Sequence, residues 1–162
     1  MRKVLLLLSV FVLFSCNDGN FEVPSMEFET SISECGDLLL YRLNSSKTEA
    51  IAISLSEDSF PTEETETIIS LSNSITVTYL IFDAKVGTSY FCNDIPPTTP
   101  KVLQNYTATN GNIVITTTAI TDADDILTGY SHSIILTDLI LDNGNEKIGF
   151  ETFDFGDLER DL

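Results

Sequence analysis

Apolar and polar residues alternate along most of this chain, which is typical of half-buried β-strands. The clearest case is segment 50–55, where Ile51, Ile53 and Leu55 share one face and smaller residues occupy the other. Short runs of Gly, Asn, Asp, Ser and Pro separate such segments, as turns would. The strands predicted in this way are 26–30, 38–43, 50–55, 75–82, 89–92, 112–121, 130–141 and 146–155.

About eight short strands at regular spacing, with no convincing helix among them, predict an all-β fold. An antiparallel β-sandwich is the expected architecture, and a β-barrel is the alternative. The pair Asn143-Gly144 predicts a type I′ turn in the last hairpin, because both residues tolerate positive φ.

Three other segments interrupt the alternation. The most polar one, 56–67, is predicted to be a long exposed loop with one helical turn after Pro61. Segment 93–100 holds three prolines, which lack the N–H groups of a helix or central strand, so it is predicted to be a rigid crossover between sheets. The acidic tail 157–162 is expected to fray.

The first fifteen residues have a different pattern. Arg2 and Lys3 precede an apolar run of about a dozen residues that ends at Ser15. Such a run is too short to span ~30 Å of hydrocarbon at 1.5 Å per residue. The pattern therefore predicts a cleaved secretory signal rather than a membrane-spanning helix.

The end of this signal, Leu13-Phe14-Ser15-Cys16, resembles the lipobox of bacterial lipoproteins. The resemblance implies cleavage before Cys16 and a lipid on Cys16, and Asn17 in place of Asp favours the outer membrane, on its periplasmic or cell-surface face. The chain is similar to small all-β outer-membrane lipoproteins of the Bacteroidota type, a resemblance that brings no activity with it. The expected organisation is a signal at 1–15, a lipid-anchored tether at 16–25, a β-domain at 26–156 and an acidic tail at 157–162.

Charge narrows the range of partners. The chain has 8 basic and 25 acidic residues, a formal charge of −17. Cleavage would remove Arg2 and Lys3 but no acid, which would change the formal charge to −19. Such a surface repels nucleic acid and anionic headgroups. The expected partners are the membrane, through the Cys16 lipid, and another protein of the cell envelope.

Cys35 and Cys92 remain once Cys16 takes the lipid. An even pair in an oxidising compartment predicts a disulfide. Closing a loop of that length is worth ~4 kcal/mol in the chain-entropy account. Two buried free thiols or a catalytic cysteine are the alternatives.

The chain offers few residues for catalysis. His132 is the only histidine, and it lies within a predicted strand. A Ser-His-Asp triad would have to use it, yet no Gly-x-Ser-x-Gly turn occurs. A zinc or iron site normally needs two or more His or Cys ligands. We therefore assign no catalytic residue, and we expect His132 to be a satisfied or solvent-facing strand residue.

Calcium is the one ion for which a candidate site exists. Asp122, Asp124 and Asp125 lie close together on a predicted loop, and carboxylate oxygens suit calcium. Their spacing does not match an EF-hand, and a solvated loop is the alternative.

These observations rank three functions. A non-enzymatic binding or accessory subunit comes first, because catalytic constellations are missing. A carboxylate-dependent hydrolase acting on an extracellular glycan comes second, since such enzymes need only two acids. A calcium-stabilised adhesion module comes third.

Overall fold

The computed structural model describes residues 26–36 and 38–162, in which eight antiparallel strands form one sheet. The helical elements in this described part are α1, Thr88–Cys92, and a 3₁₀ turn, Glu57–Ser59. Neither is long and apolar enough to cross a membrane. The strands are β1 Ser33–Cys35, β2 Leu39–Leu43, β3 Glu49–Ser54, β4 Thr65–Ser70, β5 Thr76–Phe82, β6 Val102–Thr121, β7 Leu127–Asp142 and β8 Lys147–Asp161.

The all-β antiparallel prediction is confirmed. Strands β1, β2, β3, β5, β6, β7 and β8 follow one another across the sheet, while β4 pairs with β6. The first half of β6 pairs with β5 and its second half pairs with β4. The sheet curls into a half-barrel, so β2, β3 and β5 share one core with β7 and β8. One curled sheet therefore supplies both walls of the core in the described chain.

The curl depends on a bend that the long strands make at the same level. From His132 onward, buried positions in β7 are even-numbered up to Leu136 and odd-numbered from Leu139, so β7 changes face at Asp138. In β6 the change falls between Tyr106 and Ile113, where the register with β7 shifts twice. Since a strand alternates strictly between faces, each change marks a bulge or kink.

Gly111 allows β6 and β7 to approach closely at this bend. Its φ is +136°, which is a backbone conformation that side chains with a Cβ rarely adopt. A Cβ there would lie 3.1 Å from both the Leu139 Cα and the Thr137 carbonyl oxygen. The bend is therefore possible because this position lacks a side chain.

The buried Arg42 joins the two ends of the curled sheet. Arg42 lies on β2, and its guanidinium donates to the carbonyls of Asp154 and Phe155 on β8, at 2.9 and 2.8 Å. It also donates to the carbonyls of Glu29 and Phe28, at 2.6 and 3.3 Å. The β8 carbonyls belong to a bulge opposite Ile134 and Ile135. A bulge leaves ladder groups unpaired, and the guanidinium satisfies them.

A smaller apolar cluster lies on the opposite face of β2, β3 and β5, where α1 covers it. The predicted Cys35–Cys92 disulfide is present and ties the end of α1 to the end of β1. Phe91 of α1 stacks on Tyr41, with ring centroids 4.1 Å apart.

Several local predictions are wrong. Segment 89–92 is helical rather than extended, because Tyr90 and Phe91 pack together onto Phe82. Segment 93–100 is no crossover between sheets, since β5 and β6, which it joins, are neighbours. Segment 26–30 makes only an isolated bridge, from Phe28 to Asn44.

Other corrections concern where elements begin and end. The helical turn of the polar loop precedes Pro61, and β4 begins inside that loop. The tail 157–162 does not fray, because Asp157 to Asp161 pair with β7. The last hairpin is present, but only Gly144 has a positive φ, so its turn is not type I′.

Candidate functional site

A shallow cleft of about 530 Å³, wide open to solvent, lies where β6 and β7 bend. Its polar groups come from all three strands: Asn110 and Asn112 on β6, Asp138 on β7 and Glu151 on β8. Apolar surface comes from Leu139, Ile140 and Phe150.

Asp138 and Glu151 lie opposite each other on neighbouring strands. Thr137 pairs with Thr152 and Leu139 with Phe150, which places Asp138 directly across from Glu151. Opposite residues in an antiparallel pair have Cβ atoms about 4.5–5.5 Å apart, and like charges in such a pair destabilise the sheet. Two exposed acidic residues on neighbouring strands thus line the same cleft.

The backbone at this point is unusual as well. Asp138 has a φ of +51°, in the left-handed region that residues with a Cβ seldom occupy. The Asn110 amide donates to the Asp138 carbonyl at 3.0 Å and fixes the bend. Sparse backbone conformations of this kind cluster at ligand sites.

His132 is buried on β7, where it pairs with Thr117 of β6. Its Nδ1 and the Thr117 hydroxyl oxygen lie 3.0 Å apart and share a hydrogen bond. The Phe60 ring covers the imidazole, with centroids 5.0 Å apart. Burial lowers the pKa of His132 below its ordinary 6.5, and the nearby Arg160 lowers it further. His132 is therefore a satisfied, neutral core residue.

A smaller pocket of about 290 Å³ lies beside His132. The Arg160 guanidinium carbon lies 4.2 Å from the Phe60 ring centroid, as in a cation–π contact. Arg160 also forms a 2.9 Å ion pair with Glu34. Arg160, the cation of this pocket, therefore already contacts Phe60 and Glu34.

Two tyrosines at the other end of the core hydrogen-bond to side-chain oxygens. The Tyr79 hydroxyl donates to Glu49 Oε2 at 2.7 Å, and the Tyr106 hydroxyl lies 2.5 Å from Gln104 Oε1 and 2.9 Å from Glu146 Oε1. Burial, reinforced by these carboxylates, raises the pKa of both phenols. They are therefore protonated near neutral pH and cannot act as bases there.

The calcium candidates lie on the loop between β6 and β7. Asp122 Oδ1 accepts the backbone N–H groups of Asp124 and Ile126, each at 2.9 Å. Asp125 has a φ of +60°. Across 26–36 and 38–162, no three His, Cys, Asp or Glu side chains group together as metal ligands would. Calcium binding by Asp122, Asp124 and Asp125 stays a prediction.

Cys16, the predicted lipidation site, lies outside the described residues. The chain matches no family model, no curated protein and no solved structure.

Sequence reasoning missed the cleft. A signal was present in Asn110-Gly111-Asn112, because a glycine flanked by polar residues inside a strand pattern often marks a bulge. A second signal was the phase change from Ile134 and Leu136 to Leu139. The pairing of Asp138 with Glu151 could not be read, because it depends on the register between β7 and β8.

Proposed function

We propose that this protein is a lipid-anchored protein of the bacterial outer membrane that binds a polar ligand or partner without transforming it. The cleft at the bend of β6 and β7, which β8 also lines, is the proposed ligand site. The anchor is Cys16, for which the lipobox resemblance is the support.

The juxtaposition of Asp138 and Glu151 carries the proposal. A fold that tolerates two like charges side by side, next to a strained backbone, gains no stability from them. Together with Asn110 and Asn112 they offer several hydrogen-bond acceptors and two amide donors. Phe150 adds an aromatic surface. This combination suits a polyhydroxylated ligand such as a glycan.

The same geometry favours binding over hydrolysis. A glycosidase places its two carboxyl groups on either side of the scissile bond, about 5 to 10 Å apart. Asp138 and Glu151 stand on adjacent strands and line the same cleft, so a sugar would lie over both rather than between them. The hydrolase remains the second candidate, with these two acids as its only identified pair.

Glycan binding tests the cleft directly. The full chain is applied to an array of bacterial and host glycans, beside Asp138→Asn/Glu151→Gln, which removes both charges and keeps the shapes. The matched control is Asp157→Asn/Glu159→Gln, which removes two exposed charges of β8 outside the cleft. We expect binding that only the cleft variant loses, with no product released. Product formation abolished by the cleft variant would establish the hydrolase, and equal binding by both variants would refute the cleft.

The anchor and the accessory role need a separate experiment. Cys16→Ala should move the protein from the membrane to the soluble fraction and abolish labelling with palmitate. Crosslinking in native membranes, followed by purification and mass spectrometry, should then capture one stoichiometric envelope protein. Unchanged membrane attachment of the variant would contradict the anchor.

A further inference from the structure

The chain leaves the sheet between β5 and β6 and returns to the place where it left. Asp83 N donates to Lys101 O at 3.0 Å, and Lys101 N donates back to Asp83 Oδ1 at 2.9 Å. These two bonds close the base of the excursion. Residues 88–100, here named the α1 loop, can therefore move without disturbing the ends of the strands.

Few contacts hold the α1 loop to the sheet. Among the described residues, no backbone hydrogen bond joins residues 88–100 to a strand. Helix α1 has five residues, none of them buried. A helix so short has no stability of its own, because nucleation costs more than a single turn returns. The loop depends on the Cys35–Cys92 disulfide and on the rings of Tyr90 and Phe91.

The loop covers an aromatic surface. Beneath it, Tyr41 is 1% exposed and Phe82 is 3% exposed, although both lie on the outer face of the sheet. Phe91 stacks flat on Tyr41, while Tyr90 meets Phe82 edge to face with centroids 4.9 Å apart. Without the loop, this outer face would present aromatic rings to solvent.

The two cysteines of the disulfide differ in exposure. Cys92 is an exposed residue, whereas Cys35 is half-buried. A thiolate must reach a sulfur along an open path, so Cys92 is the accessible target for thiol–disulfide exchange. Most of the sheet does not depend on this disulfide, because the core and Arg42 hold β2 and β8 together.

We propose that the Cys35–Cys92 disulfide is a releasable latch, and that a dithiol reductant opens the α1 loop and uncovers Tyr41 and Phe82. One thiolate of the reductant attacks Cys92 Sγ, forms a mixed disulfide and releases Cys35 as a thiolate. The reductant's second thiolate then attacks its own sulfur in the mixed disulfide and releases Cys92. The two protein sulfurs are reduced and take up protons, and the reductant leaves as a disulfide. Reduction thus exposes the aromatic surface of Tyr41 and Phe82 that the α1 loop covers in the oxidised protein.

Hydrogen exchange read by mass spectrometry tests the latch on the intact chain. The protein is compared with and without dithiothreitol under native conditions, and thiol labelling confirms reduction. We expect the amides of α1, Thr88–Cys92, which are the hydrogen-bonded part of the loop, to exchange at least about tenfold faster after reduction, while β6 and β7 keep their protection. Loss of protection throughout the sheet would show that the disulfide holds the fold, and an unchanged loop would show that it latches nothing. Failure of dithiothreitol to reduce the folded protein would equally overturn the proposal.

Two variants separate the latch from general destabilisation. Cys35→Ser/Cys92→Ser should reproduce the exposed loop without reductant. Phe91→Ala, which keeps the disulfide but removes the ring on Tyr41, should leave the loop latched until dithiothreitol is added. Should the double variant fail to fold, Phe91→Ala and the native chain with reductant still decide the question. An open loop in oxidised Phe91→Ala would assign the closure to the ring and contradict the latch.

Discussion

Arg42 is a buried cation that donates to backbone carbonyls of two segments far apart in sequence, one before β1 and one in β8. Its exposure is 8%, and it satisfies carbonyls of Asp154 and Phe155 that the β8 bulge releases. Burial lowers its pKa, but the nearby Asp154 opposes that shift, and a guanidinium stays charged in proteins. One side chain therefore bridges the first and last parts of the curl.

Replacing Arg42 should weaken the fold more than replacing any surface cation. Arg42→Met keeps the apolar stem but leaves several buried carbonyls without a donor, which should lower the free energy of unfolding by about 2–4 kcal/mol. Urea denaturation measures the loss. Lys147→Met is the matched control, because Lys147 is solvent-exposed and the loss of its ion pair with Asp142 should change stability little. Equal stability of the two variants would contradict the bridging role.

His132 makes a second prediction, about pH. Its folded pKa lies below the 6.5 that an unfolded chain retains, so below that pH the unfolded chain binds more protons. Stability should therefore fall as the pH drops from about 7.5 to about 5.5. His132→Gln should flatten this slope, although burial of the amide lowers stability overall. Because His132 is the only histidine, its proton NMR titration reports the folded pKa directly, and a pKa above 6.5 would refute the prediction.

The roles of individual residues were predictable from sequence where the chain has few residues of that type. Two remaining cysteines allow one pairing, and a lone histidine excludes most catalytic constellations. Arg42 was unpredictable because its partners are main-chain groups of β8, more than a hundred positions away, which no local pattern reveals.

At the scale of elements, the bend that β6 and β7 share is the feature that curls the sheet. Gly111→Ala would force a Cβ against the Leu139 backbone at a φ of +136°. We expect a loss of about 2–4 kcal/mol in unfolding free energy, from the backbone conformation and the collision together. Gly149→Ala is the control, because nothing lies within 4 Å of a Cβ there and its φ is not positive. Equal denaturation midpoints would show that the bend does not require a glycine.

Element prediction succeeded where apolar periodicity was strict and failed where tertiary packing decided. Strands β3 and β5 appear almost at their predicted limits, since each presents one apolar face to the core. The sequence of α1 alone predicts an extended segment. Stacking of its Phe91 on Tyr41 fixes it as a helix instead. The first half of β6 is mostly exposed and polar, so pairing with β5 rather than burial makes it a strand.

At the scale of the whole molecule, acidic residues far outnumber basic ones, 25 against 8. Repulsion among 25 acids opposes compaction, and dissolved salt screens it over ~10 Å at 0.1 M. Any divalent salt should consequently raise the melting temperature. A calcium site would raise the melting temperature more with calcium than with another divalent ion. A comparison of two divalent ions therefore separates charge screening from specific binding.

We expect calcium chloride and magnesium chloride at equal ionic strength to raise the melting temperature equally. Asp122 already accepts two backbone N–H groups, which leaves its loop with less capacity to coordinate an ion. Magnesium demands tighter octahedral geometry than calcium, so a carboxylate loop that bound calcium would discriminate between them. Differential scanning fluorimetry of the native chain and of Asp124→Asn/Asp125→Asn measures both effects. A larger calcium shift that this variant abolishes would instead establish the calcium-stabilised adhesion module and displace the glycan-binding proposal as the first function to pursue.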